Sequence, residues 1–321
     1  MKNILIITQK VDKNDPILGF FHSWILEFAQ KIDSVTVICL EEGQYDLPSN
    51  VKVLSLGKEK GRSKLKYIFN FYKYIWQERK DYDTVFVHMN PIYIILGGLW
   101  WKLRQKKIFL WYTHKAVDLK LKIATKIVDQ IFTASNESLR LVTNKKMVTG
   151  HGIDIALFKP HPEVSKENIF LTVGRISEVK NNIKMLSLLK LAPNFKLQII
   201  GLPITESDKI YYQLLIQKIK EEELTSRVEF IDHCPQGKLL SFYQRAKVFI
   251  NFSDTGSLDK AVLEALAMNV PVLTTNEAFA TGYPVFRDLN SALTSTLNTR
   301  DFIENNHSLP VLINRLVTVM S

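Results

Sequence analysis

The stretch Ser253-Asp254-Thr255-Gly256-Ser257-Leu258-Asp259-Lys260-Ala261-Val262-Leu263-Glu264-Ala265-Leu266-Ala267-Met268, continued by Pro271-Val272-Leu273-Thr274-Thr275, decides how this chain is read. The apolar run Val248-Phe249-Ile250 before it predicts a buried strand. That strand leads into a polar, glycine-bearing turn, then a helix, then a second short apolar strand. The first N–H groups of a helix lack intrahelical partners, and with the helix dipole they suit a bound anion such as a diphosphate. One carboxylate, Glu264, sits inside an otherwise apolar helix. Two readings of it stand: a buried acid matched to the two hydroxyls of a ribose, because burying it unpaired is costly, or a glutamate on the solvent side of the helix.

The 321 residues suit two domains, and 46% hydrophobic with 23% charged residues is ordinary globular composition. No apolar run reaches the length of a membrane span, and the N-terminal Met1-Lys2-Asn3-Ile4-Leu5-Ile6-Ile7-Thr8 reads as a first core strand rather than a signal peptide. The expectation is a cytoplasmic protein. Cys39 and Cys234 lie far apart, which predicts buried free thiols and no metal site. Net charge is +10 and unevenly spread. Residues 58–80 mix eight Lys and Arg with Tyr67, Phe69, Phe71, Tyr72, Tyr74 and Trp76, and further basic clusters cover 100–107 and 115–126. Three readings of this mixture stand: a solvated face over a core stripe, contact with an anionic membrane surface, and, least favoured, nucleic acid. No nucleic-acid partner is expected.

Working outward, apolar strands alternate with amphipathic segments along the whole chain. Strands are predicted at 4–8, 35–40, 51–54, 84–88, 107–112 and 130–134, with helices at 18–31, 63–79, 91–104, 117–127 and 136–143. After a turn-rich stretch from Gly150 to Asn168 the alternation restarts, with strands at 169–173, 196–200, 228–230, 248–251 and 270–273 and helices at 182–190, 206–222, 236–245 and 259–267. Such alternation predicts an α/β protein of two doubly wound, Rossmann-like domains, residues 1–160 and 161–321, facing across a cleft at the carboxyl ends of their strands.

Val173-Gly174-Arg175-Ile176-Ser177-Glu178-Val179-Lys180 places two cations at a strand-to-helix turn, where they would neutralise a diphosphate; a merely solvated loop is the alternative. Asp259 stands before its helix and is also a candidate cap. Two histidines end strands, in His88-Met89-Asn90-Pro91 and in Tyr112-Thr113-His114-Lys115, and His151 opens the interdomain turn. Each could instead be a structural hydrogen-bonder.

Taken together, these segments resemble the retaining glycosyltransferases of GT-B fold, family 4 type. His151-Gly152-Ile153-Asp154 through Phe158-Lys159-Pro160 is similar to that family's interdomain segment. Gly174-Arg175 with Lys180 resembles its basic loop, and Val228-Glu229-Phe230 through Val248-Phe249-Ile250 a further run. Leu263-Glu264-Ala265-Leu266-Ala267-Met268-Asn269-Val270-Pro271-Val272 resembles its signature helix. The resemblance implies that Arg175 and Lys180 hold the donor diphosphate and that Glu264 accepts from the ribose. It also implies that Gly256, Ser257 and Leu258 offer backbone N–H groups, with no cofactor and no metal needed. His114, or secondly His88, would lie near the donor sugar, and His88, Asn90 and His151 on the acceptor side. Gly19, after Asp15-Pro16-Ile17-Leu18, would be the glycine of the first loop. One departure stands out: the family carries two glutamates flanking seven residues, and here Gly256 occupies the first position. Asp254 or Asp259 would take its place, or the sugar is read differently.

The function so implied is transfer of a hexose from a nucleotide diphosphate sugar to a saccharide or lipid-linked acceptor with retention, as in polysaccharide biosynthesis. The chain would be cytoplasmic and peripheral on the membrane. Rivals are a non-catalytic nucleotide-sugar binder or membrane adaptor and a nucleotide-sugar 2-epimerase. An NAD-dependent dehydrogenase is not expected, because no Gly-x-Gly-x-x-Gly follows the first strand.

Overall fold

A computed structural model describes every residue except Met1, Pro16, His233 and Pro235. It divides into two compact units: residues 1–152 with 309–321, and residues 153–308. The division thus precedes the expected 160/161 boundary, and the last residues go with the first unit rather than the second.

In the first unit the strands are β1 (Asn3–Val11), β2 (Ser34–Glu42), β3 (Val51–Ser55), β4 (Thr84–His88), β5 (Lys107–Trp111), β6 (Gln130–Thr133) and β7 (Lys146–Val148). The helices between them are α1 (Phe20–Ala29), α2 (Lys64–Gln77), α3 (Pro91–Leu103) and α4 (Leu119–Ile127). The sheet runs β3-β2-β1-β4-β5-β6-β7, all parallel. Ile4, Leu5, Ile6 and Ile7 are wholly buried, as consecutive residues must be in a strand covered on both faces. Helices α2, α3 and α4 cover one face over Leu5, Ile7, Val85, Val87, Ile108 and Leu110. Their starts are set by local chemistry. Ser63 caps α2 by accepting from Lys66 N–H, Asp118 caps α4 by accepting from Leu121 N–H, and Pro91 opens α3.

The helix expected at 136–143 does not form; those residues turn and then run irregularly. The Ser135 hydroxyl accepts from Ser138 N–H at 3.1 Å and shares a 2.9 Å hydrogen bond with the Ser138 hydroxyl, a local arrangement that competes with helical pairing. The short strand β7 that follows was not expected.

The second unit contains β8 (Glu167–Val173), β9 (Lys196–Ile200), β10 (Val228–Ile231), β11 (Ala246–Asn251) and β12 (Val272–Thr274). Its helices are α5 (Asn182–Leu191), α6 (Glu206–Glu221), α7 (Gln236–Arg245), α8 (Lys260–Ala267), α9 (Leu289–Thr294) and α10 (Arg300–Asn306). The order is β10-β9-β8-β11-β12, again parallel. Thr205 and Asp208 form a reciprocal capping box that fixes the start of α6. The chain then enters α11 (Leu309–Met320), which returns to the first unit and packs on α1, with a stripe including Leu312, Ile313 and Leu316 buried. Arg315 donates to the Thr149 carbonyl and Lys107 to that of Ser321, fastening α11 to its unit. Among the described residues no helix is long and apolar enough to cross a membrane.

Candidate active site

In the second unit the chain leaves β8 toward β9 on one side and later returns to β11 on the other. The loops after β8 and β11 therefore diverge at the carboxyl edge, which is where open parallel sheets take their ligands. Backbone geometry opens this place. Gly201, just after β9, has φ of 142°, and a Cβ there would lie 2.0 Å from the Gly174 carbonyl oxygen. Only glycine lets these two strand ends approach so closely. Gly256, in the turn before α8, is also left-handed at φ 58°.

Side chains tie the two loops together. Asn181 donates to the Phe252 carbonyl at 2.9 Å and to the Asp254 carboxylate, and Asp254 N–H donates to the Val179 carbonyl at 2.9 Å. Lys180 reaches across to form an ion pair with Asp259. Asn251 donates to the same Asp259 oxygen at 2.9 Å, and Asn276 holds the turn by donating to the Ser257 carbonyl. Lys180, Gly174, Asp254, Gly256, Ser257, Leu258 and Asp259 are thus gathered around one edge of the sheet.

Arg175 is placed differently. Its guanidinium is 3.7 Å from the Asp208 carboxylate of the α6 capping box, not against the 254–259 turn. Asp259 stands at the N-cap position of α8, yet its carboxylate caps nothing and is committed to Lys180 and Asn251. The capping alternative is therefore corrected. Asp254 is exposed and lies near Lys184 at 3.9 Å, so Asp259 is the acid closer to the gathered cation.

Glu264 is 7% exposed, which removes the solvent-side reading. The Tyr243 hydroxyl donates to its carboxylate at 3.1 Å, and the Lys260 ammonium lies 3.5 Å away. Burial pushes the Glu264 carboxyl above its ordinary range, and Lys260 and Tyr243 only partly offset this. Burial and the adjacent carboxylate together push the Tyr243 phenol well up. Tyr243, Asn251 and Asn181 were not singled out from the sequence as site residues. The signal for the first was the buried acid itself, which demanded a donor from a neighbouring helix.

Each first-unit candidate is held by contacts of its own. Gly19 takes the position before α1 and donates its N–H to the Asp15 carbonyl at 2.9 Å; Pro16 of that loop lies outside the described residues. Asn90 precedes α3 and accepts from Gln9 at 3.4 Å. His114 is exposed after β5, and its Nδ1 accepts from Ala116 N–H at 3.0 Å. His151 is half-buried with its ring 6.3 Å from that of Trp111. His88 ends β4 as expected, but its side chain does not face an open edge. It is buried, stacked on Phe21 at 4.1 Å and bordered by Phe20 and Trp24, with Thr8 at 3.3 Å. Burial holds its pKa down at about 3. His88 is therefore a neutral core histidine, and its expected place beside donor sugar or acceptor is corrected. Among the described residues, no three His, Cys, Asp or Glu side chains gather to hold a metal ion.

Residues 154–284 match the family model described as glycosyl transferases group 1. No curated protein matches the chain in sequence. Among solved structures the chain is similar to Alr3699/HepE of Anabaena, determined in complex with UDP and glucose. The TM-score is 0.75 at 14% identity, over 100% of this chain and 99% of that one. A glycosyltransferase from Rickettsia africae ESF-5 gives 0.74 at 14% identity over 99% and 98%. The sucrose-phosphate synthase tll1590 of Thermosynechococcus elongatus gives 0.71 at 14% identity over 99% of both chains. These likenesses bear on the fold, and the family match on the second unit. Residues 154–284 thus resemble a group 1 glycosyltransferase domain, in a chain whose two Rossmann-like sheets share the GT-B fold of these structures.

Proposed function

We propose that this chain is a retaining, family 4 type hexosyltransferase that moves a sugar from a nucleotide diphosphate to a saccharide acceptor, free or lipid-linked. It would work at the cytoplasmic face of a membrane. The observation that carries this reading is the gathering of Lys180, Asp259 and the Gly256-Ser257-Leu258 turn at the diverging loops of β8 and β11, with Glu264 buried in the helix that follows. UDP is the first donor nucleotide to test, because Alr3699/HepE was solved with it.

On this reading the second unit binds the donor. Lys180 and the N–H groups at the start of α8 neutralise the diphosphate as it leaves, and Arg175 joins them by exchanging Asp208 for phosphate. Glu264, with its Tyr243 bond, receives the ribose hydroxyls. Asp259 keeps Lys180 in position and stands in for the carboxylate that Gly256 lacks. The acceptor, met by Asn90 and His151, attacks from the face the diphosphate leaves; His114 stays the candidate beside the donor sugar and Gly19 the glycine of the first loop. A departing phosphate oxygen takes the acceptor's proton, so no separate general base is required.

Isothermal titration with UDP and GDP, paired with sugar-transfer assays, tests the reading. Lys180→Ala is expected to weaken binding of the favoured nucleotide by roughly thirtyfold, as loss of a charge-assisted hydrogen bond of about 2 kcal/mol requires. Unchanged affinity would remove the proposal's support. A non-catalytic nucleotide-sugar binder is the second reading, favoured by Gly256 standing where the resembling family has its first glutamate; binding without turnover across donors and acceptors would select it.

A further inference from the structure

Each helix of a globular protein usually carries one apolar stripe, turned to the core. Helices α2 and α3 carry two. On α2, Phe71 and Ile75 are buried, while Leu65, Ile68, Phe69, Tyr72 and Trp76 recur on the outward side at spacings of three and four. On α3, Tyr93, Ile94 and Trp101 are buried, while Ile92, Leu99 and Leu103 face outward. Leu119 and Ile123 extend the pattern to α4. These are not marginal exposures: Leu65 is 81% exposed, Phe69 70% and Leu103 75%.

The outward stripes are neighbours. The three helices share one face of the sheet. The Tyr72 hydroxyl donates to the Leu96 carbonyl at 3.0 Å, and the Trp76 and Trp100 rings lie 5.2 Å apart. The Arg104 guanidinium covers Trp100 at 4.1 Å, and that of Arg79 covers Trp76 at 4.6 Å. Between α3 and α4 the approach is close enough that a Cβ on Gly98 would lie 2.5 Å from the Ile127 side chain. Charge is equally one-sided. Lys64, Lys66, Lys73, Lys102, Lys120, Lys122 and Lys126 are all exposed, and the three helices contain no Asp or Glu. Asp118, the cap of α4, and Asp129, which pairs with Lys102, lie outside the helical spans.

We propose that the outer face of α2, α3 and α4 is a docking surface for an anionic phospholipid bilayer. Leu65, Phe69, Leu99 and Leu103 enter the acyl boundary, Tyr72, Trp76 and Trp100 lie at headgroup level with Arg79 and Arg104, and the lysines meet lipid phosphates. The chemistry selects this occupant. Exposed aliphatic side chains neither stack on bases nor contact phosphates, so nucleic acid would leave the largest exposures in water. A second copy on a two-fold axis would bring this lysine-rich face against its own like charges. An anionic bilayer satisfies both halves of the pattern at once, since its interior takes apolar groups and its surface draws cations. The inference rests on the membrane-face part of the proposed function and names the surface for it, using no residue of the second unit.

Vesicle co-sedimentation of the full chain tests it, using phosphatidylcholine vesicles with and without phosphatidylglycerol at low and high salt. Binding is expected to favour the anionic vesicles roughly tenfold or more and to fall as salt rises. The triple variant Leu65→Ser, Phe69→Ser, Leu99→Ser is expected to lower that partitioning at least about tenfold with an unchanged thermal midpoint, because all three side chains are already in water. Lys66→Gln with Lys120→Gln and Lys122→Gln is expected to remove the lipid-charge preference while retaining weak binding to both vesicles. Nucleotide titration of the same variants should match wild type, which separates this outcome from failure of the donor site. Absence of binding to anionic vesicles, equal binding by wild type and the triple variant, or a dimer or nucleic-acid complex that the triple variant abolishes would each overturn the proposal.

Discussion

The two units share a wiring and differ in what they place at the end of it. In each, the strand order reverses beside the first strand, β1 in one and β8 in the other, so that two loops part at the carboxyl edge. In the second unit that edge holds the Lys180–Asp259 ion pair, with the buried carboxylate of Glu264 one helix turn beyond. In the first, the matching strand end of β4 turns His88 into a cage of Phe20, Phe21 and Trp24, uncharged. The same topology therefore ends in an ion pair in one unit and in an apolar cage in the other. Side-chain direction, not backbone architecture, makes the difference.

The comparison can be broken most strongly at His88. Its folded pKa of about 3 lies below the ordinary 6.5, so the folded state holds it neutral while the unfolded chain takes up a proton as pH falls. Its stabilising contribution is present above pH 6.5 and lost progressively down to about 3. The full loss is at most about 5 kcal/mol. All five tryptophans lie in the first unit, so their fluorescence reports that unit's unfolding. Denaturant midpoints followed this way should fall with acid in wild type and flatten in His88→Phe. A wild-type slope shared by the variant would show that the cage is not what holds this histidine neutral.

Next in size is Gly201→Ala. The added Cβ meets the Gly174 carbonyl at 2.0 Å in a backbone conformation closed to other residues, and a cost of about 3 kcal/mol is expected. Circular dichroism should show the loss and tryptophan fluorescence should not, because the damage stays in the second unit. The smallest effect is expected at Glu264. Its folded pKa lies above the ordinary 4.5, so its contribution is complete below pH 4.5 and lost as pH rises through the folded value. Glu264→Gln escapes that loss. In circular dichroism melts it should equal wild type in acid and exceed it at neutral pH. A variant less stable than wild type at neutral pH would mean that the Tyr243 and Lys260 contacts outweigh burial.

Much of this was legible in the residues, for definite reasons. Runs such as Ile4 to Ile7 and Val248 to Ile250 can only be strands covered on both sides, and their alternation with amphipathic segments gave two parallel sheets. The loop glycines and Lys180 were visible because a strand-to-helix turn has its own local composition. What escaped was non-local. Nothing in the spacing says that Tyr243, 21 residues before Glu264, points at it, or that Arg175 turns to Asp208. Position at a strand end was readable for His88, but which side of the sheet its ring took was not. The missed β7 is only three residues long, too short to carry periodicity, and the failed helix at 136–143 lost to two serines three residues apart.

One consequence follows from α11. The first unit is made of two pieces, and its last piece is translated after the whole of the second unit. Until residues 309–321 leave the ribosome, α1 lacks the helix that packs on it and the apolar stripe of α11 has nothing to bury against. The unit that begins first is thus finished last, and clipping its final helix would unsettle the beginning of the chain while sparing the middle.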